Sequence, residues 1–185
     1  MLPLAIGTAL LGYALGRRSG ARASGSAGPA APLPGVGASA WESFVARMAT
    51  AQKGHVSERA RLGTFQMDAR RLADVGAMRR AWKGTRGGVA GVWVGEWCEG
   101  LTEDSFLGSM PLQYAVFVRS IRAAAPKVSP LVGSEVEEKK ASLSGLLGVS
   151  HVAGIRGVEG FVMDPGVRAR FPSTAEVFRR TNGIF

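Results

Sequence analysis

The chain has 185 residues and is 46% hydrophobic, enough for one ordinary domain with an appendage and a buried core. Its single cysteine, Cys98, excludes an intramolecular disulfide, and with only two distant histidines, His55 and His151, it has no spacing that would hold a metal. The formal net charge of +9 favours an anionic partner: nucleic acid, anionic lipid or an acidic wall polymer.

Residues 2–16 carry no charge and are followed by Arg17 and Arg18. At about 1.5 Å per residue the stretch is slightly short for a full bilayer span. No basic segment precedes it, as one would in a secretory signal. Gly12 and Gly16 form a small-xxx-small pair suited to helix contact in lipid. Residues 1–18 therefore read as a membrane anchor or membrane-inserting apolar helix, against an atypical signal or a buried helix in an assembly. The flanking arginines favour a cytoplasmic C-terminal side. Residues 19–39, dominated by Gly, Ala, Ser and Pro, read as a flexible linker, and 40–185 as the folded domain.

Trp41, Phe44, Val45 and Met48 recur at helical spacing, which predicts an amphipathic helix over 41–53 with Ser39 as N-cap and Gly54 as stop. A polar loop runs to Arg61. Asp68 opens and Gly76 closes a second helix, placed over 67–79. Residues 83–100, rich in Gly, Val and Trp, fit a short hairpin or an irregular loop and are taken as loop. Thr102 caps a short helix with Phe106 and Leu107, and Pro111 starts a helix to about Ala125. Pro126 and Pro130 interrupt it, and the charged stretch 135–140 reads as a solvated loop. Ser142 opens a helix that Gly154 breaks. A further helix is expected over 156–163, and a last one runs from Pro172 to Asn182-Gly183. Many short helices predict an all-α, multi-helix domain.

Two segments carry the functional reading. Ala60-Arg61-Leu62-Gly63-Thr64-Phe65-Gln66, running on into the Asp68 helix, resembles the Gly-Leu-Met-Gln segment of soluble lytic transglycosylases and goose-type lysozymes. Ser150-His151-Val152-Ala153-Gly154-Ile155-Arg156-Gly157-Val158 resembles their Ala-Tyr-Asn-Ala-Gly-x-x-x-Val segment, in the right order. The resemblance spans most of 41–164. It implies a lysozyme-like fold and cleavage of peptidoglycan between N-acetylmuramic acid and N-acetylglucosamine. In that chemistry one glutamic acid protonates the leaving oxygen, then helps the muramyl 6-hydroxyl close a 1,6-anhydro ring.

The family's acid ends the helix before Gly-x-x-Gln, and here Gln52 stands at that place. An amide does not titrate near neutrality, so Glu58, in the loop entering Gly63, is the candidate acid. Against it, Glu58 also reads as a solvated loop residue beside Arg59 and Arg61. Gly63, Phe65, Gln66, His151 and Gly154 are the expected glycan-binding positions, with Gln113 a further amide. His151 replaces the family's tyrosine and Val152 its asparagine. The expected partners are peptidoglycan glycan strands, a membrane through residues 2–16, and proteins of a virion or secretion machine. Nucleic acid is not expected, for want of a docking motif, and no cofactor or metal is implied. The expected location is membrane-associated, in a virion or facing the periplasm. The alternative is a catalytically inactive lysozyme-like protein that binds glycan or serves structurally.

Overall fold

A computed structural model of the chain describes residues 32–52, 61–86, 89–98 and 100–185, with the backbone alone for 51–52, 80–86 and 89–93. The apolar stretch 2–16, most of the predicted linker, and Glu58 lie outside these residues. The fold is mostly helical. Eight α-helices and two two-stranded antiparallel sheets occur among the described residues, so the all-α expectation is corrected by two hairpins.

Helix α1 spans Ala38–Gln52 and buries Trp41, Phe44 and Met48, the predicted stripe. It starts earlier than predicted, with Trp41 N–H donating to the Gly37 carbonyl at 3.0 Å, so Ser39 lies inside the helix. Leu33 is buried and Arg122 Nε donates to the Pro32 carbonyl at 2.8 Å. The residues just before α1 therefore belong to the folded body. Isolated apolar residues among Pro and Gly are easily averaged away in a composition window.

Helix α2 is only Ala69–Asp74. The Asp68 carboxylate caps it, accepting the Arg71 N–H at 2.8 Å. Gly76, at φ +74°, ends it. Gly76 N–H donates to the Ala73 carbonyl at 3.0 Å and Ala77 N–H to the Leu72 carbonyl at 2.7 Å. This pair of bonds is a Schellman motif, which reverses the chain and turns the predicted helix over 67–79 into strand beyond Gly76. Strand β1 (Met78–Arg86) pairs with β2 (Val89–Trp97) where a loop was expected. The reason is visible afterwards: Gly87-Gly88 suits a tight hairpin turn, and Val and Trp favour strands.

Helix α3 (Glu103–Leu107) carries a capping box between Thr102 and Ser105. Helix α4 (Met110–Val128), capped by Ser109, runs through Pro126 instead of stopping there. Proline there removes one i→i−4 bond and crowds the Arg122 carbonyl, and the helix continues for only two residues beyond it. Strands β3 (Glu135–Val136) and β4 (Lys139–Lys140) form a second hairpin, turning at Glu137 and Glu138 with positive φ. Val136 at its foot is fully buried, so the charged run is not wholly solvated.

Helices α5 (Leu143–Ala153), α6 (Ile155–Met163), α7 (Pro165–Arg170) and α8 (Pro172–Thr181) complete the fold; α7 was not predicted. Every residue from Ser144 to His151 is buried, so α5 is enclosed on all sides and is the centre of the core. It touches α4, α6 and α8. A Cβ on Gly145 would lie 2.5 Å from Asn182 Oδ1, and one on Gly148 2.5 Å from Thr181 Oγ1, so the two glycines admit α8 closely. No single helix among the described residues is long and apolar enough to cross a membrane. Helices α5 and α6 pass that test only as a pair bent by 118°.

Candidate functional site

The Gly63–Gln66 segment is a closed turn. Leu62 and Met67 exchange backbone hydrogen bonds of 2.8 and 2.9 Å, and Gln66 N–H donates to the Gly63 carbonyl at 3.0 Å. Gly63 sits at φ +72° and Gln66 at φ +50°. The second value is uncommon for a residue with a Cβ and marks local strain held by its surroundings. The Gln66 side-chain amide folds back, donating from Nε2 to the Gly63 carbonyl at 3.0 Å.

Gln113, on α4, holds the turn from one side. Its Oε1 accepts the Thr64 N–H at 2.7 Å, while Nε2 donates to the carbonyls of Phe106 and Leu107 at 3.1 and 2.9 Å. The residue is buried, so both ends of its amide are spent on backbone and it is a structural clamp. The clamp explains the glycine beside it. A Cβ at position 63 would lie 2.5 Å from Gln113 Oε1. Gly63→Ala should therefore cost more than about 1 kcal/mol of unfolding free energy, through both the positive φ and the displaced clamp. A urea midpoint unchanged from native would contradict this packing.

His151 holds the turn from beneath. Its Nε2–H donates to the Phe65 carbonyl at 2.7 Å across 86 positions of sequence. That bond leaves Nδ1 as the unprotonated nitrogen, buried and without a hydrogen-bond partner among the described residues. Desolvation by burial, then the positive charge of Arg71, pushes the His151 pKa down from 6.5 to about 3. The imidazole is thus neutral through the ordinary pH range. Phe65 lies flat on Phe117, with centroids 4.2 Å apart and planes at 15°, and His151 meets Phe117 edge-on at 5.1 Å.

The two motif segments therefore meet, but Phe65 and His151 are 2% and 3% exposed. They act as supports, presenting neither ring to solvent. Gln66 is half-buried at the rim of the turn, and Gly154 is the kink between α5 and α6. Gln52 is the last residue of α1, and Glu58 falls in the stretch that follows, outside the described residues. Sequence reading missed Phe117 and Arg71, whose charge bears on His151. Phe117 was findable from the i, i+4, i+8 spacing of Gln113, Phe117 and Ile121 on α4. No group of acidic, histidine and cysteine residues among the described residues is arranged to hold a metal.

These features define a mostly helical domain with a strained, doubly clamped glycine turn. No family model, curated protein or solved structure matches the chain.

Proposed function

We propose that this protein is a lysozyme-like domain that engages peptidoglycan glycan strands and cleaves them by lytic transglycosylase chemistry. The observation that carries the reading is the 2.7 Å bond from His151 to the Phe65 carbonyl, which joins the two segments resembling that family. In this reading the Gln66 side-chain oxygen, at the rim of the same turn, accepts from a sugar hydroxyl, while its Nε2 donates to the Gly63 carbonyl. Glu58 is the acid in this reading. Residues 2–16 tether the domain to a membrane, in a virion or facing the periplasm, beside other proteins of a virion or secretion machine. A second reading rests on a specific residue: Gln52, at the end of α1 where the family has its acid, favours a catalytically inactive glycan-binding or structural protein.

Mass spectrometry of digested purified peptidoglycan separates the two. With Glu58 as the acid, native protein releases 1,6-anhydro muropeptides. Glu58→Gln then lowers the rate by about 10²–10⁴-fold, the usual worth of general acid-base catalysis. With Gln52 at a vacated acid position, native protein is inactive and Gln52→Glu creates cleavage, because it restores a titratable group where that family has its acid. Pull-down on insoluble peptidoglycan is measured alongside. Binding without cleavage by any of the three proteins leaves the inactive reading. Neither cleavage nor binding removes the glycan assignment.

A further inference from the structure

The β3–β4 hairpin turns on two glutamates where glutamate is ill suited. Glu137 and Glu138 lie at φ +50° and +63°, between the paired residues Val136 and Lys139. A two-residue turn with both φ values positive favours asparagine and glycine. Other side chains stay in that region only where their surroundings hold them, and such positions collect at functional sites. What holds Glu137 is Arg179 of α8, whose Nη1 donates to its two carboxylate oxygens at 3.2 and 3.4 Å.

The same two residues line a cleft of about 420 Å³ between the hairpin, α7 and α8, a volume within the usual range of small-molecule sites. Pro165 and Ala169 of α7 and Pro172 and Ala175 of α8 give it apolar walls. Arg168 completes the lining. Its Nη1 donates to the carbonyls of Phe161 and Val162 at 2.7 and 3.0 Å, which fixes the guanidinium in place. Its other N–H groups have no partner among the described residues, and no carboxylate there lies within ion-pair distance of it. Arg179 and Arg180 share Glu137 and Glu176, so two acids face three arginines and the surplus charge is that of Arg168.

We infer that this cleft binds a small carboxylic acid with an apolar body, its carboxylate on the unclaimed N–H groups of Arg168 and its body against the proline and alanine walls. The planar guanidinium fork matches the two oxygens of a carboxylate. Glu137 is then a tethered competitor: it occupies Arg179 and sets its own negative charge against the ligand's. A dianionic phosphate fits less well, because it meets more of that repulsion and gains nothing from apolar walls. A cationic ligand is refused by Arg168. The inference is independent of glycan cleavage.

Full-length protein labelled with nitrogen-15 is titrated with 4-fluorobenzoate, and separately with neutral 4-fluorobenzamide and with inorganic phosphate. The Arg168 Nε–H resonance and the backbone amides of Ala169 and Ala175 are followed by NMR. Saturable shifts are expected with the acid, and about tenfold or more weaker binding of the amide and of phosphate. Glu137→Gly suits the positive φ of the turn, so it should keep the fold and tighten binding of the acid several-fold. Arg168→Gln should weaken it about 10–100-fold, the usual worth of hydrogen bonds to a charged group. That variant also loses the bonds to two carbonyls; if its far-ultraviolet circular dichroism is no longer native, the Glu137→Gly result decides alone. Shifts that never saturate overturn the proposal. So does an amide or phosphate that binds as tightly as the acid, or a Glu137→Gly protein that binds the acid no more tightly than native.

Discussion

Phe117→Ala should lower the unfolding free energy by about 3–5 kcal/mol, the usual cost of emptying a phenylalanine site in a core. Phe117 is fully buried on α4. Phe65 from the turn and His151 from α5 pack against it, and Trp41 and Phe44 of α1 approach with centroids at 6.3 Å. Removing its ring leaves a void where four segments meet, and none can close it without moving another. The loss compares with a total stability of about 5–15 kcal/mol for an ordinary domain, so the variant should be marginal at 37 °C. Urea unfolding followed by circular dichroism measures it. Phe171→Ala is the control: that ring is 54% exposed, and its loss should stay within about 0.5 kcal/mol. A Phe117→Ala midpoint close to the control's would mean that the aromatic cluster does not join the turn to the helices. A double-mutant cycle with Phe65→Ala should show coupling of about 0.5–1.5 kcal/mol for the stacked pair.

Acid should destabilise the fold before the carboxylates titrate. The His151 pKa is about 3 in the folded protein against an ordinary 6.5, so below pH 6.5 the unfolded chain takes up a proton that the folded one refuses. Unfolding free energy is then level in this residue above pH 6.5 and falls by about 1.4 kcal/mol per pH unit beneath it, flattening near pH 3. The whole window is worth about 5 kcal/mol. Glu176 acts lower. Hydrogen bonds from Arg180 and Arg179 hold its carboxyl below the ordinary 4.5, so its contribution is lost only in stronger acid. The interval from pH 6.5 to 5 therefore isolates the histidine. His151→Leu should start less stable at pH 7.5, because the Phe65 carbonyl loses its donor, yet its stability should be flatter over that interval. Parallel native and variant slopes would show that His151 is not held neutral by the fold.

Local signals carried much of the helical part. The Trp41, Phe44, Met48 stripe, the helix starts at Thr102 and Ser142, and the break at Gly154 are all short-range chemistry, and each stands in the structure where it was expected; Asp68, expected in a first turn, is the N-cap one residue before it. The failures are also local, but of competing kinds. Gly76 could end a helix or sit inside a misread one, and only the backbone reversal into Ala77 shows that strand follows. Pro126 could stop α4, but near its last turn the helix tolerates it.

By itself the sequence determined that the chain has a helical body, an uncharged N-terminal stretch, a cationic surplus, and two glycine-containing segments, 60–66 and 150–158, in a given order. Only the tertiary structure decided what those segments do to each other. Gln113 reads as a sugar-binding amide until three backbone groups claim it, and His151 reads as a sugar-binding residue until burial and the Phe65 carbonyl leave it neutral underneath the turn. The reason is physical. Helix caps and apolar stripes depend on neighbours three or four residues away, whereas the clamp at Gly63 depends on partners 49 and 86 positions distant, whose approach is set by how α4 and α5 pack.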